Sequence, residues 1–424
     1  MTYSLPPGVF DIIPEDTQEP WKSTYLWNYV EDIIRNIASL YGYQEIRTPI
    51  LEHVQLFQRG VGATTDVVSK EMYTFKDRGD RTLALRPEGT APAMRALIEH
   101  HLPMPQKLFY IAPMFRYERS QAGRYRQHHQ FGAEAVGHAT SEQDGEIIDF
   151  LYSVYQRLGL KKLSLNINTL GDAKARSDFR QALITYLTPH LSSLSTESQN
   201  RLTVNPLRIL DSKDPRDRLL VAQAPSILDF IDSYARDRFE SLLQLLNLLK
   251  IPYQINPLLV RGLDYYNQMV FEVVAGELGA QNSVGGGGRY DGLLGTLGGQ
   301  DTPAVGFGTG IERIIQTMLQ QQVQLPEVVH PQIFLIGLGN AAKQFCYQLL
   351  HELRQNNIVA QMDFSDKKIG KILTYANQQQ VEYVAIIGDN EINANEINLK
   401  EMKSGHQTTL PLSEVLSFFI KNNN

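Results

Sequence analysis

The sequence predicts an α+β fold in which a large domain built on a β-hairpin precedes a smaller α/β domain. Two strand-like runs, 107–118 and 127–136, flank a short arginine-rich connection, which is the pattern of a long hairpin. Residues from about 173 to 250 have helical periodicity and interrupt two β-rich regions. In the tail at 331–424, strands alternate with helices. We therefore expect a core at 1–325 that contains a helical insertion, followed by a separate domain.

The N-terminal region begins with a helix and a strand that contains a proline. Between Trp21 and Tyr41 apolar residues recur at helical spacing, and Gly42 follows at the position of a C-terminal cap. The run 44–51 alternates like a strand, but Pro49 cannot donate a ladder hydrogen bond. This run is predicted to be an edge strand or to contain a bulge, and an edge strand is a natural place for a subunit contact.

Capping signals and periodicity predict the later elements. Ser141 with Asp144 resembles a capping box, which opens a helix that closes at Gly159. One apolar helix face in the insertion is expected to comprise Phe239, Leu242, Leu243, Leu246 and Leu249. The tail is expected to contain Ile333–Ile336, a helix to Gln355, Val359–Phe364, a second helix and Val381–Ile387.

Composition excludes several classes of protein. The chain of 424 residues, 42% of them hydrophobic, has no leader-like start and no run of about 18 apolar residues, so we expect a cytoplasmic protein without a membrane partner. Its single cysteine, Cys346, cannot form an internal disulfide, and no Cys or His spacing indicates a protein-only metal site. The net charge of −6 argues against bulk electrostatic binding of nucleic acid. The arginine-rich run 116–126 is either a local binding patch or a solvated hairpin.

The segment 257–272 combines Arg261, Asp264, Tyr265 and Tyr266 on one short turn between β-rich runs. Tyrosines beside a buried charge shape a polar pocket, and a guanidinium stays protonated whatever its surroundings. The same residues also suit a structural corner held by a salt bridge, because ion-pair networks gather charges. Taken alone, the segment leaves both interpretations open.

Three glycine-rich places compete for a phosphate-binding role, and none matches a P-loop. Residues 337–342 form either a weak dinucleotide fingerprint, with Asp363 after the next strand, or a tight strand-to-helix turn. Residues 285–292 let the backbone approach a ligand closely and add a tyrosine beside an Arg-Asp pair. Residues 306–313 predict a strand-to-helix junction with Arg313 on the first helical turn, where an anion is favoured.

Taken in order, five motifs closely resemble those of the histidyl-tRNA synthetase family of class II aminoacyl-tRNA synthetases. They are Leu85–Ala91, Met114–Arg119, Gly123–Gln127, Arg261–Tyr266 and Gly306–Arg313, and the resemblance covers nearly the whole chain. It implies a class II antiparallel sheet core flanked by helices, a helical insertion, a C-terminal α/β anticodon-binding domain and a homodimer. Arg116 and Glu118 would belong to the second class II motif, Arg313 to the third and the Pro49 strand to the first. Gly287–Asp291 would be a second histidine-specific signature, beside Arg261–Tyr266.

The resemblance implies that ATP activates histidine and that the tRNA then receives it. Negative charge builds on the phosphates during activation, so fixed positive groups are needed. By this resemblance Arg116 and Arg261 are catalytic. The residues that would bind ATP are Arg116, Glu118, Arg124, His128 and Arg313, with Mg²⁺ accompanying the β- and γ-phosphates.

The family also implies residues for histidine and for tRNA(His). Glu134 and Tyr265 would read the ring nitrogens of histidine. The other histidine-binding residues would be Glu88, Thr90, Gln130, Tyr266 and Tyr290, the first three of them near the α-amino group. Arg119 and Gln121 would contact the acceptor end of the tRNA, which would account for an arginine patch in an acidic protein. In the tail, Asn340 and the lysines Lys367, Lys368 and Lys371 are either RNA contacts or solvated surface.

Two residues depart from the family pattern, and two alternative functions are compatible with parts of the sequence. Ser120 replaces a proline, and His128 replaces the phenylalanine on which adenine stacks; His128 and His129 lack the further ligands that a metal site needs. The main alternative is the catalytically inactive relative that serves as regulatory subunit of ATP phosphoribosyltransferase in histidine biosynthesis. That relative generally lacks the anticodon domain and departs from the signatures that are intact here at 86–90 and 261–266. A nicotinamide-dependent oxidoreductase would explain only the tail.

Overall fold

The computed structural model describes residues 3–118, 123–276, 283–365 and 367–422. The chain divides into two compact units, Met1–Pro326 and Glu327–Asn424. Within the described ranges, no helix combines the length and the apolar character that a membrane span requires.

Helices and strands alternate irregularly in the first unit, as expected for an α+β protein. Its helices are α1 (Thr24–Leu40), α2 (Val54–Phe57), α3 (Thr90–Glu99), α4 (Ser141–Arg157), α5 (Ala173–Leu187), α6 (Thr196–Val204), α7 (Pro215–Val221), α8 (Ser233–Leu248), α9 (Leu293–Thr296) and α10 (Ile311–Gln320). Its strands are β1 (Gln44–Glu45), β2 (Leu51–His53), β3 (Thr74–Lys76), β4 (Thr82–Leu85), β5 (Gln106–Phe115), β6 (Gln127–Val136), β7 (Leu163–Thr169), β8 (Tyr253–Ile255), β9 (Asn267–Ala275), β10 (Ser283–Arg289) and β11 (Ala304–Gly310).

The central sheet has the strand order β1-β5-β6-β11-β10-β9-β7-β8. Its six inner strands pair in antiparallel fashion, whereas the short edge strands β1 and β8 run parallel to their neighbours. The predicted α+β class with an antiparallel core is therefore confirmed. The predicted hairpin is β5 with β6, which pair from Gln106 opposite Val136 to Phe115 opposite Gln127.

The main hydrophobic core lies on one face of this sheet. Helices α1, α4 and α10 pack there, with Phe150 and Ile314 among the side chains that meet Phe131 and Phe307 of the sheet. On the opposite face, α3 and α9 cover only part of the sheet. Polar side chains that the strands direct to this second face can therefore form a site.

The helical insertion comprises α5 to α8 and connects β7 to β8. Helices α5 and α6 share their own apolar cluster, which includes Phe179 and Leu202. Helix α8 instead joins the main core through Phe239, Leu242 and Leu246. Leu249, which was predicted on the same face, is 48% exposed because it lies beyond the end of α8.

The predicted edge strand at 44–51 is wrong in its extent. Strand β1 ends at Glu45 and β2 begins at Leu51, so Pro49 lies in a connection between two sheets. Strand β2 belongs to a small antiparallel sheet of order β2-β4-β3. Arg86 fixes the connection by donating from Nη1 to the carbonyl oxygen of Thr48 at 2.7 Å. A proline is tolerated there because no ladder partner needs its missing N–H.

The predicted cap of α4 is displaced by one residue. The side chain of Thr140, rather than Ser141, accepts a hydrogen bond from the backbone N–H of Gln143 at 3.3 Å. Asp144 does not cap the helix, because its carboxylate is buried in an ion-pair network with Arg289 at 2.5 Å and Arg238 at 2.9 Å.

The second unit is a small α/β domain. Its strands are β12 (Ile333–Gly337), β13 (Ala360–Met362), β14 (Tyr383–Ile387), β15 (Glu396–Glu401) and β16 (Gln407–Pro411), and its helices are α11 (Asn340–Gln355), α12 (Ile369–Gln378), α13 (Asp389–Ala394) and α14 (Val415–Asn422). The sheet order is β13-β12-β14-β15-β16, with three parallel strands followed by two antiparallel ones. The predicted alternation of strands and helices is confirmed for β12 to β14, but the β15-β16 hairpin was not predicted.

Candidate active site

Strand β6 directs a row of functional side chains to the second face of the sheet. Alternate residues of a strand point to opposite faces. Phe131, Ala133 and Ala135 enter the main core, so Gln130 and Glu134 lie on the other side. His128 has the same parity and ends this row.

Glu134 is the centre of a buried cluster of polar side chains, which together form a candidate pocket. Its side chain is fully buried, and its carboxylate accepts hydrogen bonds from Thr90 Oγ1 at 2.8 Å, from the Tyr110 hydroxyl at 3.2 Å and from the Tyr290 hydroxyl. Burial raises the pKa of Glu134 to about 8, although these donors oppose the rise. Gly306 leaves room for this arrangement, because a Cβ atom there would overlap the Glu134 carboxylate and the Tyr290 hydroxyl.

The start of α3 supplies a second buried carboxylate to the same face. Glu88 is 2% exposed and accepts from the backbone N–H groups of Thr90 at 2.7 Å and Ala91 at 2.8 Å. Burial raises its pKa, and the helix N-terminus and the nearby Arg116 oppose that rise. Gln130 completes this side of the pocket, with its Nε2 lying 3.4 Å from the hydroxyl of Tyr110.

Three tyrosines form the other wall of the pocket. The ring centroid of Tyr265 lies 4.7 Å from that of Tyr266 and 5.3 Å from that of Tyr290. Burial raises the pKa of Tyr265 and Tyr290 well above the usual range of a phenol, so both remain hydrogen-bond donors at neutral pH. The structure therefore brings together the residues predicted to bind histidine.

Three arginines border this pocket near the end of the hairpin. Arg116 Nε donates to the carbonyl oxygen of Pro87 at 2.8 Å, immediately before Glu88. Arg313, on the first turn of α10, donates to the carbonyl oxygens of Gly123 at 3.3 Å and Ser283 at 2.6 Å. Burial, and then the charge of nearby Arg124, lower the pKa of Arg313. The guanidinium of Arg124 also pairs with the Glu118 carboxylate at 3.4 Å.

Arg261 approaches the same end of the sheet from the turn before β9. Its Nη1 lies 3.1 Å from Glu272 Oε1, an oxygen that also accepts from the Ser283 hydroxyl at 2.8 Å. A Cβ on Gly286 would lie 2.9 Å from Arg261 Nη1. The glycine therefore leaves room for the Arg261 guanidinium to lie against strand β10. Arg261 Nε has no hydrogen-bond partner among the described residues, which leaves a donor for a ligand.

His128 lies among these cations, whereas its neighbour His129 faces away. Burial and the charge of Arg116 lower the pKa of His128 to about 3, so the ring is neutral and can present an uncharged aromatic face. His129 packs edge-on against Trp27 at 4.9 Å and bonds to Glu312. The two histidines thus cannot share a ligand. No cluster of three potential metal-binding side chains occurs in the described part of the chain.

Several predicted residues lie elsewhere or outside the described residues. Arg119 and Gln121, which were predicted to contact tRNA, fall outside the described residues, as does Ser120. Arg289 does not line the pocket. It is fully buried and pairs with Asp144, and it also bonds to Asp291 at 2.9 Å.

Sequence reasoning missed Tyr110 and Glu272. Tyr110 pairs with Gly132 across the hairpin, and the absence of a side chain there lets the phenol reach Glu134. Gly132 was the signal in the sequence, because a glycine within a strand often marks a place where another group approaches the backbone closely. Glu272 was visible at the end of the arginine and tyrosine segment, but nothing in the sequence indicated that it would pair with Arg261.

Comparison with known proteins identifies a family for both units. A histidyl-tRNA synthetase family model matches residues 26–314, and an anticodon binding domain model matches residues 332–422. Because residues 337–342 lie within the anticodon binding domain match, the dinucleotide interpretation of these residues is not supported.

Similar proteins align along nearly the full length of the chain. It is 63% identical over 419 residues to a histidine–tRNA ligase of Protochlamydia amoebophila, which covers 98% of this chain and 99% of that protein. It is 45% identical over 424 residues to a histidine–tRNA ligase of Geobacillus sp. strain WCH70, covering 99% of each. The crystal structure of apo histidyl-tRNA synthetase from S. aureus superimposes with a TM-score of 0.82 at 34% identity, over 99% of this chain and 100% of that one.

Proposed function

The chain belongs to the histidyl-tRNA synthetase family, and from this premise we propose that it ligates histidine to its tRNA at the site described above. The histidine carboxylate attacks the α-phosphorus of ATP, an O–P bond forms, and the bond to pyrophosphate breaks. The terminal ribose hydroxyl of the tRNA then attacks the adenylate and displaces AMP. One observation carries the proposal: a buried polar cluster around Glu134 lies beside a group of four arginines, which suits an amino-acid site next to a polyphosphate site.

The arginines perform the electrostatic part of activation. Arg116 and Arg261 are the catalytic cations near the α-phosphate, while Arg124 and Arg313 hold the nucleotide and its outer phosphates. The described hydrogen bonds of the Arg313 and Arg116 guanidinium groups are to backbone carbonyls, so in these bonds neither group is engaged by a carboxylate. Fixed donors of this kind stabilise charge that develops in the transition state without reorganisation.

Adenine and Mg²⁺ complete the ATP site. The neutral ring of His128 stacks on adenine, in place of the phenylalanine that is usual in the family, and Glu118 also belongs to the nucleotide site. Mg²⁺ is commonly held by one or two carboxylates together with substrate phosphates, and Glu118 and Glu272, which pair with Arg124 and Arg261, would hold it. When bound with ATP, Mg²⁺ would neutralise part of the negative charge of the phosphates. This donor set suits an ion that arrives with the nucleotide.

Histidine is selected by polar side chains that form hydrogen bonds with its ring nitrogens and its α-amino group. Glu134 and Tyr265 read the ring nitrogens, and Tyr266 and Tyr290 close the pocket. The remaining contacts, to the α-amino group and its surroundings, come from Glu88, Thr90 and Gln130. A site built to pair polar substrate groups rejects analogues that lack them by about 10⁴ to 10⁵.

The tRNA contacts and the assembly state rest on the family. Arg119 and Gln121 contact the acceptor end of tRNA(His), and the second unit binds the anticodon. The chain acts as a homodimer in the cytoplasm. The predicted support from an edge strand at Pro49 does not apply, because that residue lies between two sheets.

The regulatory-subunit alternative is less well supported. The relatives that align over nearly the full length carry the name histidine–tRNA ligase, and the tail matches an anticodon-binding domain. The arginines near this pocket also suit the phosphates of ATP, which a non-catalytic relative would not need.

Exchange of labelled pyrophosphate into ATP, tested with each amino acid in turn, examines the activation step. We expect exchange with histidine alone, and a loss of about 100-fold or more for Arg261→Ala, as for other groups that stabilise transition-state charge. Arg216→Ala is the matched control, because Arg216 is an exposed arginine paired only locally with Asp214. Exchange with another amino acid, or full activity of Arg261→Ala, would overturn this assignment.

A further inference from the structure

The turn at residues 260–266, here called the signature turn, is held between two parts of the chain that are distant in sequence. On one side, Val260 packs against the apolar cluster of the helical insertion. On the other side, Leu263 and Tyr265 pack against the cluster of segment 54–72. Apolar contacts are non-directional, so polar contacts add a directional restraint on the turn to this packing.

Asp264 is the point where the signature turn meets both neighbours through polar contacts. Its backbone N–H donates to the carbonyl oxygen of Val61 at 3.1 Å, and its Oδ2 lies 3.5 Å from Thr64 Oγ1, both in segment 54–72. Its Oδ1 accepts from Asn205 Nδ2 of the insertion at 3.2 Å. One carboxylate thus ties the turn to the insertion and to segment 54–72.

The insertion presents a polar edge to this junction. Asn205 ends α6, yet its side chain caps neither α6 nor the following turn and is directed to Asp264 instead. Arg208 Nη1 lies 3.4 Å from the position that a Cβ would take on Gly262. Arg201 reaches Asp66 of segment 54–72 at 3.3 Å, and Arg208 reaches the same oxygen at 3.8 Å.

We infer that the helical insertion positions the signature turn for histidine activation, through the hydrogen bond from Asn205 to Asp264. The inference rests on the proposed function, because Arg261 and Tyr265 flank Asp264 and are assigned there to catalysis and to the histidine pocket. A shift of the turn would move both groups together, and a misplacement of about 1 Å can cost on the order of 100-fold in rate. Asn205 contacts neither substrate in this assignment, so it is a positioning residue.

The test is Asn205→Ala in the full chain, assayed by pyrophosphate exchange without tRNA. We expect the KM for histidine to rise and kcat to fall, so that kcat/KM for histidine decreases about tenfold, as expected for loss of one hydrogen bond to a carboxylate. The KM for ATP should stay within about twofold, because Arg116, Arg124 and Arg313 belong to other segments. Partial unfolding would lower kcat alone and leave the KM for histidine unchanged. Asn200→Ala, an exposed position on α6, is the matched control and should behave like the unaltered chain.

An exchange of the two side chains provides a rescue. Asn205→Asp places two carboxylates opposite each other and should reduce kcat/KM for histidine more than Asn205→Ala does. Adding Asp264→Asn restores the hydrogen bond with donor and acceptor reversed, and should recover about tenfold of that loss.

If the unaltered chain activates histidine, two results would overturn this inference but not the proposed function. They are an unchanged KM for histidine in Asn205→Ala and no recovery of kcat/KM in the double variant. Absence of histidine-dependent exchange in the unaltered chain would overturn the proposed function and this inference with it.

Discussion

Glu134→Gln should make the first unit more stable at alkaline pH. Glu134 is fully buried, and burial raises its pKa from 4.5 to about 8. Between those two values the folded protein retains a proton that the unfolded chain has released. The carboxyl group therefore destabilises the fold increasingly as pH rises through this window, and its full penalty is present above about pH 8. Glutamine has nearly the same shape and no such titration.

The size of the effect follows from the shift. Each pKa unit corresponds to about 1.4 kcal/mol, so a rise from 4.5 to about 8 amounts to roughly 3–5 kcal/mol. The amide oxygen of glutamine can still accept from Thr90 and Tyr110, and the Tyr290 hydroxyl can rotate to accept from its amide nitrogen. The variant should therefore match the unaltered chain near pH 5 and exceed its stability by roughly 3–5 kcal/mol near pH 9.

Urea unfolding followed by tryptophan fluorescence measures this difference. The chain has 2 tryptophans, Trp21 and Trp27, which are buried in the first unit, so the signal reports on that unit alone. Glu240→Gln, at an exposed position on α8, is the control and should show no such trend. A difference between Glu134→Gln and the unaltered chain that stays constant from about pH 5 to about pH 9 would refute the reasoning. The same variant should lose histidine activation, because an amide, unlike a carboxyl group, cannot ionise to pair with the histidine ring.

Three further predictions concern stability, pocket shape and nucleotide binding. Asp144→Ala should destabilise the first unit by about 3–5 kcal/mol in the fluorescence assay, because fully buried Arg289 loses a partner at 2.5 Å. Gly306→Ala should abolish histidine-dependent pyrophosphate exchange, because the added methyl group overlaps the Glu134 carboxylate. Arg313→Lys should raise the KM for ATP about tenfold in the exchange assay, because one ammonium group cannot reproduce the two-carbonyl contact and the spread charge of a guanidinium.

Each of these has a control of the same chemical kind. Asp237→Ala removes an exposed acid on α8 and should leave stability within about 0.5 kcal/mol. Gly370→Ala adds a methyl group into open space and should leave exchange intact. Arg216→Lys should leave the KM for ATP unchanged. A test variant that behaves like its control would contradict the corresponding prediction.

Elements whose signals lie within short segments could be predicted from the sequence. The hairpin of β5 and β6, helix α1 and the parallel strands of the tail all have local periodicity and clear turns. Period-two alternation across Pro49 was misleading, because it does not show that the chain passes from one sheet to another there. The β15-β16 hairpin was missed because the alternation in β15 is short, with only Ile397 and Leu399 apolar, and because β16 is mostly polar.

Less of the candidate site than of the fold could be predicted from the residues alone. The segment with Arg261 and its tyrosines left a pocket and a structural corner equally open, and the resemblance to a family supplied the roles. Pairings across large sequence separations had no local signal: Asn205 bonds to Asp264 across 59 positions, and Arg289 pairs with Asp144 across 145. Such contacts depend on how the elements pack, which periodicity does not report.

The most direct test of the account is the charging of tRNA(His) with labelled histidine by the unaltered chain. We expect ATP-dependent attachment of histidine to the 3′ end of the tRNA, no attachment of other amino acids, and a large loss for Arg261→Ala but not for Arg216→Ala. A folded protein that binds histidine yet forms neither pyrophosphate nor charged tRNA would contradict the account and favour the regulatory-subunit alternative.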